Sequence, residues 1–155
     1  MKMKVLAAFF ALVFVLSACG GNGGTQELEP AATAQAILEK GSFSDTLVEA
    51  TGSAVENYYA LDDKIVDYAI YISGSGSTPE GIAVLKVADA KDIANAKAMV
   101  EKRLDTLNFQ FENYGLPEEK PKLKSPVIET VGNTVIFVVS KDNNAVLAAI
   151  KSLQK

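Results

Sequence analysis

Cys19 is the one cysteine of this 155-residue chain. It stands directly behind Leu16, Ser17 and Ala18, where an apolar run ends. A thiol at that place is the nucleophile that can take a diacylglyceryl group from a lipid donor, and the small side chain of Ala18 leaves a peptidase room to cut the bond before it. A cysteine spent on lipid leaves no thiol for a disulfide, a metal site or covalent catalysis. The chain also has no histidine, which excludes His-based acid–base chemistry, the Ser-His-Asp class and His-ligated zinc or copper. The side chains left for catalysis are Asp, Glu, Lys, Ser and Tyr, and no cofactor is implied.

Four further groups carry residue types that can do chemistry. Asp62, Asp63 and Asp67 form a tight acidic cluster, but the spacing does not fit a calcium loop, and a turn plus the solvent face of a strand accounts for it. Gly74-Ser75-Gly76-Ser77-Thr78 looks like a phosphate cradle, yet it lacks the Gly-Lys-Ser/Thr ending and precedes a strand, so it reads as a hairpin turn. Lys120, Lys122 and Lys124 alternate and would share one side of an extended segment, a basic ridge diluted by Glu118 and Glu119. Tyr71 stands opposite Tyr68 on its strand, either exposed as a contact residue or covered by a helix.

The elements that must position these residues follow from periodicity. A helix is expected over residues 31–40, with Pro30 at its first turn and Gly41 at its end. Residues 46–60 read as short helical pieces around Leu47, Val55, Tyr58 and Tyr59. Val66, Tyr68, Ile70 and Ile72 alternate with polar or small residues as in a half-buried strand. A second strand over 82–87 completes an antiparallel hairpin. Asp89 offers a cap for a long helix whose apolar stripe is Ile93, Ala96, Val100, Leu104, Leu107 and Phe111, with Lys97, Lys102, Arg103 and Asp105 turned away. Gly115 and Pro117 end it. Strands over 127–131 and 134–139 meet at Gly132-Asn133, the second apolar on both faces as in a central strand. Asp142 caps a last helix bearing Val146, Leu147, Ile150 and Leu153. The expected fold is α+β: a four-stranded, mainly antiparallel sheet in ββαββα order, with helices packed on it and a short helical region before it.

Organisation follows from the first residues. Lys2 and Lys4 precede the apolar stretch 5–16, which is the pattern of a secretory leader. As a helix it would span about 18 Å, against about 30 Å of hydrocarbon, too short for a comfortable membrane span. The pattern resembles a bacterial lipobox, which implies a signal peptide over 1–18 and membrane attachment through lipid on Cys19. Glycine-rich 19–29 is then a flexible tether and 30–155 a single domain. Loss of Lys2 and Lys4 takes the net charge from −4 to −6, which disfavours nucleic acid as a partner.

Across residues 31–152 the chain resembles bacterial lipoproteins of domain of unknown function family 4358. The likeness is carried by Tyr58-Tyr59-Ala60-Leu61-Asp62 leading into Val66-Asp67-Tyr68, by Glu80-Gly81-Ile82-Ala83-Val84-Leu85-Lys86-Val87, and by Phe111-Glu112-Asn113-Tyr114 with Pro117 and the Gly132-Asn133 hairpin. It implies a tethered extracytoplasmic domain, mostly of Gram-positive bacteria, and supplies no functional residues. The expectation is a non-enzymatic binding or interaction module at the outer face of the cell membrane, with an envelope protein as partner. The alternative is a small envelope hydrolase using two carboxylates that meet in one cleft. Solute capture for a transporter is disfavoured, because there is no length for two lobes and a hinge.

Overall fold

The computed structural model describes residues 27–155. Cys19, and with it the expected leader and most of the expected tether, lies outside them. Helix α1 (Pro30–Lys40) opens with proline at its first position and is followed by Gly41. Strand β1 (Leu47–Glu49) and helix α2 (Ser53–Tyr59) come next, then β2 (Ile65–Ser73) and β3 (Gly81–Val87). Asp89 accepts a hydrogen bond from the Lys91 N–H and starts a short 3₁₀ turn. That turn feeds α3 (Ile93–Asn113). A second 3₁₀ turn, Lys120–Lys124, leads to β4 (Val127–Val131), β5 (Thr134–Val139) and α4 (Asn143–Ser152). As expected, Asp142 caps α4, its carboxylate accepting from the Asn144 and Ala145 N–H groups.

The fold is α+β, but the sheet has five strands where four were expected, in the order β1-β2-β3-β5-β4. All neighbours run antiparallel. The extra strand is β1, an edge strand three residues long that pairs Leu47 with Ser73 and Glu49 with Tyr71. Three residues are too few to display a period of two, so only the partner strand defines them. The rest of that ambiguous stretch is helical, as α2.

Helix α3 covers one face of the sheet over Ile70, Ala83, Leu85, Val135 and Phe137. Helices α1 and α4 cover the other, over Ile82, Val84, Ile136 and Val138. With cover on both faces, the inner strands must be apolar on both. Strand β5 is buried along all six of its residues, and the expectation of a central strand holds. Its turn to β4 has Gly132 at φ 55°, the left-handed region a two-residue hairpin turn requires. Packing reaches back to Leu28, which is 4% exposed and joins the α1–α4 core. Packing among the described residues therefore extends at least two residues before the domain boundary expected at Pro30.

Candidate functional site

A concavity among the described residues lies between the β2–β3 loop and the C-terminal half of α3. Its volume is about 570 Å³, within the range of small-molecule sites. Ile72, Leu107, Phe111 and Leu116 supply apolar wall, Ser77 and Thr78 supply hydroxyls, and Tyr58, Glu80, Arg103 and Tyr114 also line it. Tyr114 is 86% exposed at the rim.

Three local devices hold this cleft. The first is Asp45, which gathers the loop. Its carboxylate accepts hydrogen bonds from the Ser73 and Ser75 hydroxyls and from the Ser75 N–H. Those donors, the Ser73 hydroxyl foremost, hold its pKa down at about 2. Gly76, at φ 70°, completes the turn.

The second is Glu80, at the entrance to β3 and only 2% exposed. Its Oε2 accepts the Ser44 N–H at 2.7 Å and the Asp45 N–H at 3.1 Å. Its Oε1 lies 3.1 Å from Lys122 Nζ, an ion-pair contact whose angles are too poor for a hydrogen bond. Lys122 also donates to Glu119 Oε2 at 2.6 Å and to Ser44 Oγ at 3.1 Å. Burial alone would lower the Lys122 pKa, but the close contacts and charges of Glu119 and Glu80 outweigh it and raise it.

The third device is the aromatic pair at the end of α2. Ala60 adopts the left-handed conformation, φ 46° and ψ 53°, and closes the helix. Tyr58 and Tyr59 then face α3. The Arg103 guanidinium sits 4.4 Å from the Tyr58 ring centroid and 6.0 Å from that of Tyr59. Arg103 is 9% exposed, and its Nη1 is buried with no hydrogen-bond partner. Desolvation lowers its pKa, partly offset by the two tyrosines. Burial pushes the Tyr59 phenol up to about 12 against the pull of the Arg103 charge, so Tyr59 is neutral.

The sequence-derived candidates fall elsewhere. Tyr71 is half-buried against the core under α1 and α4, so its face is a covered one. The basic ridge does not form. Lys120–Lys124 is a 3₁₀ turn, in which residues two apart are rotated by about 240° rather than aligned. Lys120 pairs with Glu112 at 3.5 Å, Lys122 turns inward to Glu80, and Lys124 is exposed. The acidic cluster is local structure: Asp62 accepts from the Lys64 N–H and from Asn95, and Asp67 from the Tyr68 N–H. Among the described residues no three His, Cys, Asp or Glu side chains are placed to hold a metal ion. One carboxylate, Glu80, lines the cleft, and it is engaged, so the pair required by the hydrolase alternative does not occur there.

Arg103 was expected on the solvent face of α3 and lies instead on its buried one. The signal was present in the spacing, three residues after Val100 and four before Leu107, both in the stripe. Glu80 left no comparable mark, since its partners lie about 35 to 42 positions away along the chain.

A family model described as Domain of unknown function (DUF4358) matches residues 39–140. That span includes the whole lining of the cleft. No curated protein and no solved structure matches the chain.

Proposed function

The chain belongs to the DUF4358 family, and from that premise we propose that it is a lipid-anchored binding module on the extracytoplasmic face of the cell membrane. The cleft beside α3 is where it takes its ligand or touches its envelope partner. The observation that carries the binding reading is Arg103, a buried cation lining an open concavity with no carboxylate partner among the described residues. Two sequence features support the anchoring reading: the placement of Cys19 behind a short apolar run, and the glycine-rich segment after it. With both sheet faces covered by helices, the cleft is favoured over an open sheet face as the contact region.

Two experiments test the two halves separately. Cys19→Ala is expected to move the protein out of the membrane fraction or leave its leader uncleaved, and unchanged lipid labelling and fractionation would overturn the anchoring. A photo-crosslinking residue at Tyr114, on the cleft rim, is expected to trap a reproducible envelope component in cells. The same probe at Phe109, exposed on α3 and outside the cleft lining, is expected not to. Equal trapping at both positions, or none at either, would overturn the cleft as the contact region.

A further inference from the structure

Building on that reading of the cleft, we propose that its ligand is a small molecule carrying one carboxylate on an apolar body, with Arg103 as the counter-ion. A guanidinium presents five N–H donors and no acceptor. Inside a protein it is normally paired, because an uncompensated buried charge is disfavoured by desolvation. Arg103 makes no ion pair among the described residues and its Nη1 has no hydrogen-bond partner, while the residue lies 9% exposed in the cleft wall. The guanidinium carbon sits over the Tyr58 ring, and Nη1 is left without a hydrogen-bond partner. The in-plane fork matches a planar carboxylate with two parallel hydrogen bonds.

The charge balance points to a monoanion. Arg103 is the one cation lining the cleft, and the one acid, Glu80, is engaged away from it by Lys122, which it shares with Glu119. The C-terminal half of α3 forms a wall, and a helix C-terminus carries partial negative charge. A single carboxylate neutralises the guanidinium one to one, whereas a phosphate dianion would leave excess negative charge beside that terminus. The rest of the ligand meets Ile72, Leu107, Phe111 and Leu116, which favour an apolar body, in a volume of about 570 Å³.

The test uses the full-length chain in phosphatidylcholine nanodiscs, with empty nanodiscs correcting for partition into lipid. Ligand-observed saturation-transfer NMR compares N-acetylphenylalanine with its neutral amide, with inorganic phosphate as competitor. The acid is expected to saturate and the amide to bind at least about 10-fold more weakly, the size of one charge-assisted hydrogen-bonded contact. Phosphate is expected not to displace the acid. Arg103→Gln should bring the acid down to the level of the amide, and Arg103→Lys, which keeps the charge without the fork, should fall between. If the Gln variant fails to fold, the Lys variant decides. Equal binding of acid and amide overturns the carboxylate while leaving the cleft in place. Displacement by phosphate overturns it in favour of a phosphate ligand. Saturation by neither probe overturns it as well, and the crosslinking at Tyr114 then judges the binding-module reading independently.

Discussion

Arg103 of α3 lies with its guanidinium carbon 4.4 Å from the centroid of the Tyr58 ring of α2. Two helices separated in the chain by the β2–β3 hairpin are thus joined by a cation on an aromatic face, with no acid among the described residues to complete the arrangement. Cation–π contacts contribute about 0.5–2 kcal/mol. That is less than the several kcal/mol by which desolvation opposes a buried ion, so the pair serves the site at a cost to stability. Arg103→Met, similar in reach and apolar, is expected to raise unfolding stability by about 1 kcal/mol or more, measured by urea denaturation. A loss of 2 kcal/mol would show that Arg103 is compensated after all.

Lys122→Ala should be far more damaging. It strands the Glu80 carboxylate, whose side chain is 0% exposed, and removing one partner of a buried pair costs about 3–5 kcal/mol. Glu80→Gln is expected to cost less, since an amide oxygen still accepts the Ser44 and Asp45 N–H groups. Denaturation midpoints of the two variants compare the effects directly.

Acid should release the β2–β3 loop before the core. The Asp45 pKa is lowered in the fold from 3.8 to about 2. A depressed carboxylate pKa means the unfolded group binds protons first as pH falls. The contribution of Asp45 is therefore complete above about 3.8 and lost as pH drops through about 2. Amide chemical shifts of Ser75, Gly76 and Ser77 should change across that window, and Asp45→Ala should give the low-pH shifts at neutral pH.

Leu28→Ala tests where the packed domain begins. Leu28 is 4% exposed within the α1–α4 core, and a buried Leu→Ala change costs about 2–5 kcal/mol. A cost under 0.5 kcal/mol would return Leu28 to the tether.

Phe137→Ala is the reference for the central core. Phe137 is 1% exposed on β5, under α3. The expected loss of about 3–5 kcal/mol is a large part of the stability of a domain this size. A thermal melt should show a much lowered transition, or none.

The sequence by itself determined the elements whose cause is local. The stripe from Ile93 to Phe111 made α3, the pattern Val66, Tyr68, Ile70 and Ile72 marked β2 as a strand although Val66 and Tyr68 themselves are exposed, and Gly132-Asn133 made the β4–β5 turn. Asp142 marked the start of α4, and each of these signals lies within a few residues of the structure it specifies. Tertiary structure alone decided what depends on partners remote in the chain. The edge strand β1 exists because β2 offers hydrogen bonds to three residues that show no period of their own. Tyr71 is half-buried because α1 and α4 cover its face. Lys122 leaves the surface because Glu80, 42 positions earlier, supplies a buried charge. Arg103 enters the cleft wall because α2 and the β2–β3 loop close around α3. Periodicity records which face of an element is apolar, and only packing decides which polar side chain is carried inside with it.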